Sequence, residues 1–327
     1  MSSVCIIFAK IKYICKYTKS LWNTKYKKMN NNQKPVRFAL FGKEFQKEHA
    51  SAVRKMFSIF NDPQVTVTID GEFFRFLETQ HIDTQSFGVF EGNDFEADFV
   101  VSLGGDGTFL KAASKVGSKN IPIIGFNMGR LGFLTDVSLQ DVETALKMIL
   151  QGKYEVESRS VIAIESNGEP LTTYPYALND VAILKCADAS MISICTDIGE
   201  EHLITCQADG MVVSTPTGST AYALSNGGPI VVPQTNVFCL TFVAPHSLTV
   251  RPMIVPDTTE ISLKISSRSH NYLVAIDGRS VTLQEGTTLT LRKAPYQVQI
   301  VKRKEYNYFS MLKEKMMWGR DTRENKC

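Results

Sequence analysis

The chain has 327 residues, of which 43% are hydrophobic and 21% are charged. This is enough apolar material for a buried core and more chain than one ordinary domain needs, so two domains are expected. The longest apolar run, residues 237–245, is far shorter than the 18 or so residues of a membrane helix. Composition also excludes collagen, coiled-coil and disulfide-scaffold proteins.

The net charge of +3 comes from the first 28 residues, which hold seven lysines and no Asp or Glu. The remaining chain carries 29 basic and 33 acidic residues, so it predicts no binding to nucleic acid. We expect residues 1–34 to be a basic tail that is either disordered or precedes the true start at Met29. The alternative interpretation is an arm for a membrane surface or for targeting.

Strands and helices alternate in the next part of the chain. This alternation predicts an α/β domain with a parallel, Rossmann-like sheet over residues 35–136. Strands are predicted at 36–41, 65–69, 98–103 and 121–126, and helices at 44–60, 72–80 and 109–116.

Short β-rich segments dominate the chain after a predicted helix at 138–150, for which Ser138 is the expected N-cap. They indicate a β-rich, β-sandwich-like domain over residues 137–295. The segment 296–327 should contain an amphipathic helix at 305–318 that packs back on the N-terminal domain through Phe309, Leu312 and Met316. The predicted strands of the β-rich domain are 160–166, 177–184, 191–196, 210–214, 237–244, 260–265, 272–276 and 287–292.

Cysteine and histidine usage indicates a cytoplasmic protein. The seven cysteines are odd in number and form no C-x-x-C pair, and no two of the five histidines stand at the spacing of metal ligands. We therefore expect neither a disulfide framework nor a zinc site.

A glycine-rich turn, Gly104-Gly105-Asp106-Gly107-Thr108, follows a predicted strand and precedes a predicted helix. Such a turn suits a phosphate, because glycines allow close approach and the helix N-terminus offers free N–H groups. It is not a P-loop, and Leu110 replaces the third glycine of the dinucleotide fingerprint. A carboxylate repels phosphate, so Asp106 suggests a general base or a metal ligand. The alternative is a turn aspartate that binds its own backbone.

A second constellation, residues 214–229, has five hydroxyl side chains in its first eight residues and ends in glycines. Ser219 is expected to cap a short helix that reaches Ser225. A surface loop is the alternative. Two short acidic pairs stand upstream, Asn179-Asp180 and Asp209-Gly210, and each alone would indicate only a turn.

Together these motifs, with the segment 127–135, resemble the NAD kinase family over nearly the whole chain beyond the tail. The resemblance implies transfer of the γ-phosphoryl group of ATP to the 2′-hydroxyl of the adenosine ribose of NAD. It also implies a homodimer or homotetramer with an active site between two domains. A divalent metal, Mg²⁺, would be held mainly by nucleotide phosphates rather than by protein ligands.

The resemblance assigns Asp106 as the catalytic base. Asn179 and Asp180 match a pair that grips the adenosine, although many relatives have Glu at the second position. Arg279 stands where relatives often have a polar amide, and it is a weak candidate. The implied substrate-binding residues are Gly104, Gly105, Gly107, Lys111, Asn179, Asp180, Asp209, Thr220, Ala221, Tyr222, Ala223, Leu224, Ser225 and Ala244.

Two other functions remain open at this point. A lipid kinase of the diacylglycerol or sphingosine type shares the glycine turn but does not need the other motifs. A non-catalytic dinucleotide sensor would have no use for a base at position 106.

Overall fold

The computed structural model describes residues 35–129, 132–168, 171–172, 174–186, 190–304 and 306–319. The predicted basic tail, 1–34, lies outside these residues. No helix within the described ranges is both long and apolar enough to cross a membrane.

The first lobe is built on a sheet with the strand order β3-β2-β1-β4-β5-β20-β7, and β6 pairs with the free part of β5. All neighbours are parallel except β7 against β20. Helices cover both faces, as a parallel sheet requires. The elements are β1 Val36–Gly42, α1 Ala50–Phe60, β2 Val65–Asp70, α2 Gly71–Thr79, β3 Gly88–Phe90, β4 Phe99–Gly104, α3 Asp106–Val116, β5 Ile123–Asn127, β6 Val137–Ser138, α4 Val142–Leu150, β7 Glu155–Arg159 and β20 Val298–Lys302.

The second lobe consists of two six-stranded antiparallel sheets that enclose one apolar core. One sheet has the order β15-β14-β13-β10-β17-β18 and the other β12-β11-β16-β19-β8-β9. The strands are β8 Ile162–Ser166, β9 Tyr176–Ala177, β10 Asp180–Lys185, β11 Ile192–Ile198, β12 Glu201–Ala208, β13 Gly210–Ser214, β14 Val237–Val243, β15 Met253–Pro256, β16 Ile261–Ser266, β17 Asn271–Ile276, β18 Arg279–Gln284 and β19 Thr288–Lys293, with the short helix α5 Tyr222–Ser225 before β14 and the helix α6 Tyr308–Met316 at the end.

The chain crosses between the lobes as a two-stranded ribbon. The β7–β20 ladder ends at the pair Arg159–Val298, and the β8–β19 ladder begins at Ile162–Lys293. Between them the N–H of Ala294 donates to the carbonyl of Val161. The outgoing segment and the returning segment therefore stay paired through the crossing.

The predicted fold class, a parallel α/β domain followed by a β-rich domain, is confirmed. The predicted boundary at residue 136 differs from the structure, because α4 and β7 belong to the first lobe. The first lobe also takes back β20, a strand that the sequence analysis did not predict. Seven strands were missed, because they are short, polar on one face or at a sheet edge: β3, β6, β7, β12, β15, β18 and β20.

The C-terminal helix differs from its prediction in the face that it buries. Tyr308, Met311 and Leu312 are buried, whereas Phe309 is exposed. These buried residues contact Phe133 of the first lobe and also Ile230 of the second. The helix therefore packs at the junction of the lobes rather than on the N-terminal domain alone.

Candidate active site

The glycine turn lies at the point where the order of the parallel strands reverses. From β1 the chain continues to β2 and β3 on one side of the sheet, and then to β4 and β5 on the other. Ligands of open α/β sheets bind at the carboxyl ends of the strands beside such a reversal. Gly104 is the last residue of β4 and Gly105 precedes α3. A Cβ atom on Gly105 or Gly107 would meet no protein atom within 4 Å, so the backbone here is open to a ligand.

The helix α3 begins at Asp106 rather than at the predicted residue 109, so this carboxylate sits in the first helical turn. Its Oδ1 atom accepts hydrogen bonds from the N–H groups of Leu134 (3.1 Å) and Thr135 (3.0 Å) and from the Thr135 hydroxyl (2.9 Å). Among the residues that the structure describes, its Oδ2 atom accepts one, from the N–H of Phe133 (2.8 Å). Four hydrogen bonds from one turn thus fix the carboxylate in position and leave lone-pair capacity mainly on Oδ2.

Gly132 is required for this arrangement. A Cβ atom at position 132 would lie 2.0 Å from Oδ1 of Asp106 and 2.3 Å from Oγ1 of Thr135. The interpretation of Asp106 as a turn residue that binds its own backbone is therefore not what the structure shows, since its partners lie 27 to 29 residues away. Asp106→Asn would not leave all four bonds intact, because an amide NH₂ cannot accept a hydrogen bond.

The C-terminal helix brings a cation to the same carboxylate. Nζ of Lys315 lies 3.8 Å from Oδ2 of Asp106 and 3.9 Å from the centre of the Phe133 ring. Partial burial lowers the pKa of Lys315, although the charge of Asp106 acts in the opposite direction. Lys315 was not predicted from the sequence, because nothing local marks a lysine 209 residues away as a neighbour of Asp106.

Lys111, a predicted binding residue, has other partners in this structure. Its ammonium group is 2.5 Å from Oε2 of Glu72 and 4.0 Å from Oδ2 of Asp70, at the carboxyl end of β2. Burial raises the pKa of Asp70, and the charge of Lys111 partly offsets this. Lys111 thus stands at the rim of the same sheet edge, but its charge is already paired.

Asn179 and Asp180 stand at the start of β10 in the second lobe, and hydrogen bonds to Asp277 fix their backbone. The half-buried carboxylate of Asp277 accepts hydrogen bonds from the N–H groups of Leu178 (2.8 Å), Asn179 (2.8 Å) and Asp180 (3.2 Å). In return the N–H of Asp277 donates to the carbonyl of Asp180. Asp277 is a site residue that the sequence analysis did not choose, although it flagged the neighbouring Arg279.

Arg279, the weak candidate, has a structural role here. Its guanidinium group donates to the carbonyls of Tyr174 (3.1 Å) and Tyr176 (2.8 Å), and its Nε donates to the carbonyl of Ile276 (3.1 Å). It therefore fastens the segment before β10 to the end of β17.

Asp180 is a buried carboxyl group with a neighbour of the same charge. Burial, followed by the negative charge of Asp277, raises the pKa of Asp180 to about 7, while a hydrogen bond from the Tyr222 backbone acts in the opposite direction. Beside it, Oδ1 of Asn179 is buried and has no hydrogen-bond partner within the described part of the chain. An unpaired buried acceptor and a carboxyl group poised near neutral pH are typical of a binding site rather than of a structural turn.

The hydroxyl-rich segment wraps around the Asn179 backbone. A Cβ atom on Gly218 would lie 2.0 Å from the Asn179 carbonyl oxygen, so only glycine fits there. Ser219 is buried, and its hydroxyl donates to the carbonyls of Pro216 and Val231 and accepts from the N–H of Val231, so it is not the predicted N-cap. Instead a 3₁₀ turn at Thr217–Thr220 precedes α5.

The predicted residues 220–225 do not all face the same space. Ala223 is fully buried against Ala182 and Val212, so its side chain belongs to the core. Tyr222 and Ser225 are exposed, and Thr220, Ala221 and Leu224 are half-buried. Only part of this segment therefore presents side chains to a ligand.

The two halves of the site meet between the lobes. Phe133, whose backbone binds Asp106, lines one small cavity together with Thr217 and Thr220. Leu178, next to Asn179, is buried in the same apolar cluster as Phe109 and Ala112 of α3. One apolar cluster thus fixes the position of the glycine turn relative to the Asn179-Asp180 pair.

Asp209 and Ala244 lie elsewhere. Asp209 precedes β13 and pairs with Lys185 at 2.7 Å, and its N–H donates to the carbonyl of Val243. Because Asp180 pairs with Ser214 at the opposite end of β13, the two aspartates are separated by roughly 16 Å of strand. The structure does not bring Asp209 and Ala244 to the Asn179-Asp180 pair within one chain.

Comparison with known proteins identifies the family. The family model of the ATP-NAD kinase N-terminal domain matches residues 22–154, and that of the ATP-NAD kinase C-terminal domain matches residues 178–303. An NAD kinase of Bacteroides fragilis is 48% identical over 289 residues, which cover 88% of this chain and 100% of that protein. An NAD kinase of Porphyromonas gingivalis is 39% identical over 286 residues, with coverages of 86% and 98%. The chain belongs to the NAD kinase family, as its motifs predicted.

Solved structures agree with this assignment. The crystal structure of yeast NADH kinase complexed with NADH has a TM-score of 0.80, covers 90% of this chain and 91% of its own, and at 23% identity shows the shared fold. An NAD kinase from Archaeoglobus fulgidus in complex with ATP has a TM-score of 0.65 at 26% identity, with coverages of 86% and 99%.

Proposed function

We propose that this chain transfers the γ-phosphoryl group of ATP to the 2′-hydroxyl of the adenosine ribose of NAD, with Asp106 as the general base. The observation that carries the proposal is the fixed carboxylate of Asp106 at the open glycine turn. A ribose hydroxyl is a poor nucleophile, and phosphoryl transfer depends mostly on positioning and charge neutralisation. A carboxylate held by four hydrogen bonds provides the positioning.

Oδ2 of Asp106 is the oxygen that would receive the proton. Oδ1 already accepts three hydrogen bonds, whereas Oδ2 accepts one, from Phe133. The 2′-hydroxyl would donate to Oδ2 as its oxygen attacks the γ-phosphorus, and the proton would pass to Oδ2 as the new P–O bond forms. General-base assistance of this kind contributes roughly 10²–10⁴-fold to the rate.

Positive charge for the phosphates comes from two sources in the chain. The N–H groups at the start of α3 point out of its N-terminus, although that of Thr108 already donates to the carbonyl of Gly105. Lys315, 3.8 Å from Oδ2 of Asp106, is the second source. Both stand next to the position that the reacting hydroxyl would take.

Asn179 and Asp180 would recognise the adenosine of NAD. The unpaired Oδ1 of Asn179 is an acceptor, and Asp180 can accept from ribose hydroxyls in its charged form or donate in its neutral form. Asp277 holds both residues in place through their backbone.

Mg²⁺ would act as the divalent cofactor, held mainly by the phosphates of ATP. The site fits this mode of binding, since the open backbone at Gly105 and Gly107 leaves room for the phosphates and Mg²⁺ usually keeps several waters beside substrate phosphates. When bound, the ion would neutralise charge on the transferring group.

A homodimer or homotetramer is also part of the proposal. Met253 and Ile254 on the edge strand β15 are 41% and 49% exposed, and Leu248 nearby is 91% exposed. Exposed apolar residues along a sheet edge are typical of a surface that pairs with another copy.

A cytoplasmic location is proposed because the described cysteines are free thiols: Cys186, Cys195, Cys206 and Cys239.

The test is incubation with NAD, ATP and Mg²⁺, with NADP measured by a dehydrogenase specific for it. Parallel reactions should replace NAD with diacylglycerol or with sphingosine, and Asp106→Ala serves as the inactive control. NADP formation without lipid phosphorylation is expected. Tight NAD binding without turnover would instead indicate a sensor.

A further inference from the structure

Three potential metal ligands meet on the outer face of the second lobe, away from the kinase site. Cys195 and Asp197 stand two residues apart on β11, so their side chains point to the same side of the sheet. The β11–β12 register shifts between Thr196 and Asp197, and this irregularity pairs Asp197 directly with His202 of the edge strand β12. The spacing of these residues matches no zinc pattern in the sequence, which explains why no such site was expected.

The three ligand atoms already form a compact triangle. Sγ of Cys195 is 3.8 Å from Nδ1 of His202 and 4.0 Å from Oδ1 of Asp197, and Nδ1 is 2.9 Å from Oδ1. A tetrahedral zinc ion with bonds of about 2.0–2.3 Å separates its ligand atoms by about 3.3–3.6 Å. Each observed distance therefore needs to change by only about 0.5 Å to fit the ion.

The surroundings supply the partner that a metal-binding histidine needs. Oγ1 of Thr205 lies 3.4 Å from Nε2 of His202, so it can accept the Nε2 proton and leave the Nδ1 lone pair free. The ammonium group of Lys264 lies 3.8 Å from Oδ2 of Asp197, which is not the oxygen that takes part in this triangle. Its side chain is 62% exposed and is free to turn into solvent.

We propose that Cys195, Asp197 and His202 bind one Zn²⁺ ion, with water as the fourth ligand. A thiolate and an imidazole select zinc over Mg²⁺, which prefers oxygen ligands alone. On binding, the thiol releases its proton to solvent, and the hydrogen bond between His202 and Asp197 is replaced by two bonds to the metal. The ion would tie the edge strand β12 to β11. This site is independent of the proposed phosphoryl transfer, because its residues lie on the sheet that does not carry Asn179 and Asp180.

The experiment is a Co²⁺ titration of the full chain without a histidine tag, because a thiolate ligand to cobalt gives a charge-transfer absorption band. Zn²⁺ affinity is then measured by competition with a chromophoric chelator. One equivalent is expected. The band should disappear in Cys195→Ser, and His202→Gln should weaken Zn²⁺ at least about tenfold. Thr205→Val should also weaken it, by roughly 10–100-fold, through the orientation of the imidazole.

Cys186→Ser is the matched control, because Cys186 is another half-buried free thiol and should leave the band unchanged. NADP formation should be the same in Cys195→Ser as in the unmodified chain, which shows that the variant is folded. Absence of the band, or a band that persists in Cys195→Ser, would overturn the proposal.

Discussion

The two carboxylate oxygens of Asp106 accept different numbers of hydrogen bonds, and this difference determines how variants of Asp106 should behave. An Asn side chain must place its NH₂ group against either the Phe133 N–H or the three donors that face Oδ1. We expect Asp106→Asn to lower kcat by about 10²–10⁴-fold. The lost acceptors should also reduce the free energy of unfolding by roughly 1–3 kcal/mol. Steady-state kinetics and thermal unfolding measure the two effects.

Thr135→Val is the control, because it removes one hydrogen bond to Oδ1 and keeps the carboxylate. It should lose stability but remain within about tenfold of the unmodified rate, or 1.4 kcal/mol of barrier. A rate for Asp106→Asn within about fivefold of the unmodified chain would reject a catalytic role. Rescue of that variant by excess Mg²⁺ or Mn²⁺ would make Asp106 a metal ligand rather than the base.

Lys315 can be tested against another lysine of the same helix. Lys315→Met keeps an unbranched stem against the Phe133 ring and removes the charge beside Asp106. We expect kcat to fall by about 10²-fold, as for loss of one group that stabilises transition-state charge. Lys313→Met changes an exposed residue two positions earlier and should leave the rate unchanged. Equal rates for the two variants would exclude Lys315 from the reaction.

Asp180 makes stability depend on pH in an unusual direction. Its pKa is raised to about 7 in the folded chain, against about 3.9 in an unfolded one. Between these values the folded state binds a proton that the unfolded state has released, so stability falls as pH rises from about 4 to about 7. Asp180→Asn should therefore melt at the same temperature as the unmodified chain near pH 4, and at a higher temperature at pH 8.

The exposed Asp94→Asn is the comparison for this experiment and should show no such pH-dependent difference. Despite its higher melting temperature, Asp180→Asn should have a raised KM for NAD at pH 8. A variant that melts at the lower temperature at pH 8 would contradict the assignment of a buried, destabilising charge.

At the scale of elements, Asp277 couples the end of β17 to the start of β10. Asp277→Asn keeps one acceptor for the three N–H groups and removes the charge next to Asp180. We expect two results: a higher KM for NAD, because the Asn179-Asp180 turn loosens, and a lower pKa of Asp180, because repulsion is relieved. The second result is measured as a shift to lower pH of the midpoint in the pH profile of KM. A midpoint that does not move would show that the two carboxyl groups are not coupled.

Local patterns predicted those elements in which periodicity and burial agree. The buried strand β4 and the turn after it were found because all six residues of β4 are buried and the glycines follow at once. Predictions failed where the decisive partner is distant in sequence. Asp277, Lys315 and the Cys195–His202 contact all depend on strand register or on the return of the C-terminal segment, which no local pattern shows.

The whole molecule is interleaved, since the first lobe needs the strand β20 from the end of the chain. In a fragment of residues 35–159, the strands β5 and β7 both lack β20, which lies between them in the sheet. We expect this fragment not to unfold cooperatively in urea. Joining residue 159 to 296–319 by a short Gly/Ser linker should restore cooperative unfolding, because Arg159 and Val298 are register partners and the linker closes a hairpin. Equal behaviour of the two chains would show that β20 is dispensable.

The ribbon between the lobes also bears on how a protease would act on this molecule. Ser160, Val161 and Ala294 are buried at the crossing, and the buried carboxylate of Asp257 binds both the Ser160 hydroxyl and the Lys293 ammonium group. The outgoing segment is thus buried, and a single nick in either strand leaves the other intact. The two lobes cannot be released from one another by one cut, so the halves of the active site stay together even in a nicked chain.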